Sequence, residues 1–194
     1  LPTILIDRDY TGTVQYFPPD YTKLPDPMFM GMYEAAKGVY YYYRGFARFP
    51  LTSLPAGATV TQVRFNFYCY IAGGAAHLTD IHPYGANGQP NPETDDTTTC
   101  YNNCAAGTEY VDDSDALRTI GDKWFLLGGT VCADVQNAKS AVNRFSLGLH
   151  EEGDNDPYAG AYVPILEITY TPPPVVWGGS ALPQLEMAKA ILGL

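Results

Sequence analysis

Apolar and polar residues alternate along much of this chain with the period of two that marks half-buried strands, not the 3.6 of amphipathic helices. The clearest case is 60–71, where Val63, Phe65, Phe67, Cys69 and Ile71 share one face and Arg64, Asn66, Tyr68 and Tyr70 share the other. The first set predicts a core face and the second a wetter one. Further strands are predicted over 3–7, 13–17, 39–49, 78–84, 123–134 with a break at Gly128-Gly129, 144–150 and 162–171. The Pro- and Met-rich stretch 21–37 reads as loop, and so does 85–109. One short helix is predicted over 135–142, with Asp134 placed to cap it.

About eight short strands with no crossover helices between them pair antiparallel and pack as two sheets. The predicted fold is all-β, a single antiparallel jelly-roll β-sandwich over 1–171. The remaining residues, 172–194, form an extended C-terminal tail. Pro172-Pro173-Pro174 is a stiff spacer. Val175, Val176 and Trp177 follow, then Gly178-Gly179, then a short helix over 181–192 stopped by Gly193. Leu182, Leu185, Met187, Ile191 and Leu192 make that helix apolar around most of its circumference, and Leu194 ends the chain. Left in water such a tail is an aggregation hazard, so it is expected to dock in a groove or on a sheet edge. Its own domain and a neighbouring subunit are both candidates. The proline spacer favours the neighbour, with Ile4 and Ile6 on the first strand as the added or receiving partner. A head-to-tail contact of that kind builds a helical filament of identical subunits unless it closes a ring.

Composition narrows the partners. The chain has 194 residues and a net charge of −10, and its few Lys and Arg are scattered. That excludes nucleic acid, which takes its affinity from clustered cations, and an anionic lipid surface. No apolar stretch approaches the ~20 residues of a membrane span. Charged residues are only 16% of the chain, while tyrosines number 16. Tyr40, Tyr41, Tyr42 and Tyr43 are consecutive, so in a strand they point alternately to both faces. With Tyr68 and Tyr70 they are candidates for lateral protein contact or for stacking on sugar.

Cys69, Cys100, Cys104 and Cys132 contain no Cys-x-x-Cys pair and stand near no His at zinc-finger spacing. Disulfides are expected, Cys100 to Cys104 locally and Cys69 to Cys132 between strands; buried free thiols in a reducing compartment are the alternative. The start Leu1-Pro2-Thr3 reads as the processed N-terminus of an exported, extracellular protein. No nucleophile elbow, zinc-protease or phosphate-loop motif is present, so no enzyme is expected, and no cofactor. Glu151, Glu152, Asp154 and Asp156 gather oxygen ligands of the kind calcium takes, without EF-hand spacing; a solvated acidic loop is the other reading. His77 and His82 would point to opposite faces of one strand, so with Asp80 they make no metal site.

The segment Arg44-x-Phe46-x-Arg48-Phe49-x-Leu51-x-Ser53-Leu54-Pro55-Ala56-Gly57-Ala58-Thr59-Val60-Thr61 resembles the opening of the DNRLRE-type domains, secreted β-sandwich modules related to carbohydrate-binding jelly rolls. Ala133-Asp134-Val135 and the closing run from Pro164 to Tyr170 are similar to later parts of that family, with Gln136 where a Thr is usual. The resemblance covers 40–171 and implies a jelly roll in a secreted protein, often an attachment or stalk unit. The expected function is a non-enzymatic extracellular structural protein that self-assembles through its terminal segments. The alternative is a carbohydrate-binding module that recognises polysaccharide through Tyr68, Tyr70 and the Tyr40 to Tyr43 strand.

Overall fold

The period-two stretch at 60–71 forms the strand β6 (Thr59–Ile71), and Val63, Phe65, Phe67 and Cys69 are fully buried along one of its faces. The computed structural model describes residues 1–73, 78–151 and 159–174. Around β6 stand β1 (Thr3–Asp7), β9 (Gly121–Leu126) and β11 (Ala159–Thr171). They make one sheet in the order β1-β11-β6-β9. A second sheet contains β2 (Tyr10–Phe17), β3 (Asp20–Pro25), β5 (Val39–Pro50), β7 (Thr79–Pro83), β8 (Val111–Ser114) and β10 (Arg144–Glu151). Its order is β3-β2-β5-β10-β7-β8. The strand β4 (Met28–Ala36) joins the two, pairing with β11 through Met28 to Met30 and with β5 from Gly31 onward.

Every pairing is antiparallel. With β2, β3 and β4 set aside as an insertion, eight strands remain. One sheet takes the first, last, third and sixth of them, and the other takes the second, seventh, fourth and fifth. That interleaving is the jelly roll, and strand accounts for 55% of the chain against 13% helix.

Between the sheets lies the main core. Phe49, Phe65, Phe67 and Phe145 are fully buried there, and Phe65 meets Phe49 edge to face at 6.0 Å. The helix α2 (Val131–Ala141) adds Val131, Val135 and Ala138 to it. This helix starts four residues before the expected position. Its N-cap is Thr130 and makes no side-chain cap bond; Asp134 sits in the first turn instead, accepting from Thr130 Oγ1 at 2.6 Å and Tyr110 Oη at 2.8 Å. An acid there suits the helix dipole; the strand expected over 123–134 ends at Leu126, before Gly128-Gly129.

Two stretches read as loop are structured. In 21–37, Pro25 and Pro27 bracket the tight connection from β3 to β4 rather than marking a long loop, and Met28 and Met30 alternate inward with no exposed surface. The connection 85–109 contains the helix α1 (Thr97–Asn103), capped by Asp96, which accepts from the Thr99 amide at 2.9 Å.

This connection covers the outer face of the second sheet and forms a second core from Val14, Phe46, Tyr84, Cys100, Tyr101 and Cys104. Three cations fasten it. Lys23 Nζ donates to the carbonyls of Pro92 and Asp95, both at 2.7 Å. Arg48 bridges Asp9 at 2.8 Å, Asn91 at 2.6 Å and Glu93 at 2.6 Å. The Arg44 guanidinium lies 4.0 Å over the Tyr101 ring. The cap approaches β10 so closely that a Cβ on Gly148 would lie 2.3 Å from the Cys104 carbonyl oxygen. Gly148→Ala is therefore expected to cost about 1–3 kcal/mol, read as a lower urea midpoint at unchanged m-value. An unchanged midpoint would mean that the cap does not rest on β10.

Candidate functional site

Among the described residues, no element packs over the outer face of the first sheet. Residues directly opposite one another on neighbouring strands share a face, and here the rows run Leu5, Glu167, Arg64, Leu126 and Tyr162, Tyr68, Asp122, with Trp124 between them opposite Asn66. Leu5, Tyr68, Trp124, Leu126 and Tyr162 are each 40–61% exposed. Arg64 pins the centre, lying 4.6 Å over the Trp124 ring and 3.2 Å from Glu167. Tyr70 stacks on Tyr162 with ring centroids 4.1 Å apart, and Phe29 extends the row to Tyr43. At Tyr162 to Ile165 β11 carries a bulge against β6, with Val163 in the left-handed region at φ 51°. Left-handed backbone is costly for a β-branched residue, and here it lies where β11 passes from β4 to β1.

The predicted residues fall into separate places. Tyr68 and Tyr70 join this face; Tyr40, Tyr41, Tyr42 and Tyr43 are half-buried on β5, and of them Tyr43 reaches it, through Phe29. Tyr42 packs toward Tyr16, 6.1 Å away, while Tyr41 faces Phe17 at 5.0 Å. Ile4 and Ile6, expected to meet a neighbour, pack into this chain's own core, because β1 pairs with β11 and turns them inward. Leu1 and Leu5 stay outside. Val175, Val176, Trp177, Leu182, Leu185, Met187, Ile191, Leu192 and Leu194 lie outside the described residues, as do Glu152, Asp154, Asp156 and His77. Glu151 ends β10 and is 1% exposed, so it is no part of a solvated acidic loop.

The cysteines are corrected too: all four are thiols. Cys69 stands opposite Gly121, whereas Cys132 lies beside Thr61 and Gln62, seven residues back along β6. At ~3.3 Å per residue that is about 23 Å, and a disulfide needs Cα atoms within ~7 Å. Cys100 and Cys104 are fully buried on one side of α1 and hydrogen-bond each other; the contact pulls the Cys100 thiol down, and burial pushes Cys104 up.

Sequence reasoning missed Trp124, Leu126 and Tyr162, although Trp124 and Leu126 alternate with Phe125 as an outward pair. It also missed His150. The rings of His82 and His150 stack at 4.6 Å with their Nε2 atoms 2.8 Å apart, although they lie 68 residues apart in the chain. Only the strand order, with β7 beside β10, brings them together.

No protein-family model matches the chain, and no curated protein does. Among the described residues no helix is long and apolar enough to cross a membrane.

Burial and the neighbouring His150 lower the His82 pKa from 6.5 to about 4, so its ring is neutral at pH 7. On acidification the unfolded chain protonates first. Stability due to this ring is complete above pH 6.5 and falls by up to about 3 kcal/mol toward pH 4, at ~1.36 per unit. Burial raises the carboxyls of Asp80 and Glu109, which oppose the loss at the acid end of this window. In chelator, the urea midpoint of the native chain is expected to fall more steeply from pH 6.5 to 4.5 than that of His82→Gln. Parallel profiles would show that the native ring titrates freely.

Proposed function

We propose that this chain is a non-enzymatic extracellular structural protein, a jelly-roll subunit that assembles into a fibre or surface filament. The observation that carries the reading is the outer face of the first sheet, where Leu5, Tyr68, Trp124, Leu126 and Tyr162 are exposed while the cap covers the outer face of the other sheet around Val14, Phe46 and Tyr84. Large exposed apolar and aromatic side chains on one flat surface suit contact with a second surface. An open depression of about 480 Å³ adjoins this face, lined by Leu1, Leu126, Leu127 and Cys132 beside Thr169. β9 next to it is the end strand of its sheet. An apolar segment of another copy fits such a place, and 175–194 has the composition for it. Secretion rests on the resemblance to DNRLRE-type modules.

Polysaccharide binding is the second reading, favoured by Tyr68, Tyr162 and Trp124 standing together on a flat sheet face, since such rings stack on sugar faces.

Electron microscopy of the full chain beside one ending at Pro174 separates the roles. Filaments from the first and monomers from the second are expected. Monomers from both at high concentration would end the fibre reading, and filaments from both would remove the tail from it. For the second reading, Tyr68→Ala with Trp124→Ala is expected to abolish retention on insoluble polysaccharide; equal retention would exclude these rings from any sugar site.

A further inference from the structure

Beneath the edge of the cap, on the outer face of the second sheet, Asp80 and His82 of β7 meet His150 of β10. One ligand-type atom from each lies within 4.8 Å of the other two. Asp80 Oδ2 is 3.7 Å from His150 Nε2, and Glu109 Oε1, from the cap, is 3.9 Å from His82 Nε2. Asp80 and His82 are almost wholly buried, whereas His150 and Glu109 reach solvent.

The protons cannot be arranged well here. His150 Nδ1 is 2.9 Å from the Glu151 carbonyl oxygen, so it carries the hydrogen and neutral Nε2 presents a lone pair. His82 Nδ1 is buried and makes no well-aligned hydrogen bond, and the backbone of Ala106 and Gly107 beside the ring favours a proton on it. With the His82 proton on Nε2, a buried Nδ1 lone pair is left unmatched. With it on Nδ1, two Nε2 lone pairs face each other at 2.8 Å, flanked by two carboxylates. A proton shared between the rings relieves one contact. A divalent cation takes both lone pairs and the carboxylate oxygens together.

The surroundings orient the donors as a metal site requires. The Glu151 carbonyl fixes the His150 ring, and Asp80 Oδ1 accepts the Asp113 amide at 2.8 Å, leaving Oδ2 for the centre. Two nitrogens on one tetrahedral ion with ~2.0–2.1 Å bonds stand about 3.3 Å apart, so the rings must separate by about half an ångström. His150, whose side chain is 14% exposed on the solvent side of the cluster, is the ring that can shift. Two imidazoles with carboxylates select borderline ions such as Zn²⁺, Ni²⁺ or Cu²⁺ over Ca²⁺ and Mg²⁺.

We infer that Asp80, His82 and His150, with Glu109 as fourth donor, bind one divalent transition-metal ion of the zinc class, which ties the end of the cap to the sheet. The site stands independently of the filament reading.

The test is calorimetric titration of the chelator-stripped full chain with Zn²⁺ alone, beside thermal melts. One ion per chain and a raised melting temperature are expected, with no such shift from Ca²⁺. His150→Gln, at a partly exposed position, should keep the native circular dichroism and lose affinity by more than about 100-fold, beyond what an outer-shell change costs. Glu109→Gln should weaken binding less. Absence of stoichiometric Zn²⁺ uptake, or uptake and a melting shift unchanged in His150→Gln, would overturn the site.

Discussion

Phe46 and Phe49 leave β5 on opposite faces, and each enters a different core: Phe49 between the sheets, Phe46 beneath the cap. A strand buried on both faces cannot alternate apolar with polar, and Phe46, Ala47 and Phe49 are all fully buried. The cations Arg44 and Arg48 on the same strand are tolerated because the cap supplies a ring and anionic oxygens to meet them. Double burial of this sheet dictates the rest. The long connection must return over it, the second core must be filled by tyrosines and cysteines, and the margin of the cap encloses the histidine pair.

Among the described residues the first sheet has no such cover. Its inner face supplies Val63, Phe65, Phe67, Leu166 and Ile168 to the main core, while its outer face carries the central Arg64–Glu167 ion pair and aromatic rings, with Asp7 and Asp122 toward its margins. A surface with few charges is readily desolvated, and the rings on it lose little entropy when they are covered. The strained turn at Val163 lies on the same strand as Tyr162. It interrupts pairing with β6 in the middle of β11, at the one point where neither β4 nor β1 supports the other side.

The sandwich was legible because alternation is a local signal. Strands β1, β5, β6 and β10 stand within a residue or two of where the periodicity puts them. Where the reading failed, a long-range contact overrode a local one. Pro25 and Pro27 punctuate a short strand-to-strand connection rather than a long loop because β4 is held by β11 and β5 on its two segments. Asp134 looked like a cap because it precedes an apolar run, yet it is drawn into the helix by Tyr110 and Thr130. The His82 and His150 pair depends on the order of strands in a sheet, which no window of sequence contains. The tyrosine run misled differently: identical side chains on one strand serve different neighbours, since Tyr42 packs on Tyr16 and Tyr41 on Phe17, both of β2, while Tyr43 packs on Phe29 of β4.

The central claim is that the molecule meets others through the open sheet face and not through the capped one. Hydroxyl-radical footprinting across a concentration series measures this residue by residue. The account predicts that Tyr68, Trp124 and Tyr162 become protected as association begins, while Tyr10, Tyr16 and Tyr21, partly exposed beside the cap, keep their reactivity. Protection confined to Tyr10, Tyr16 and Tyr21, with Trp124 still fully reactive, would contradict it.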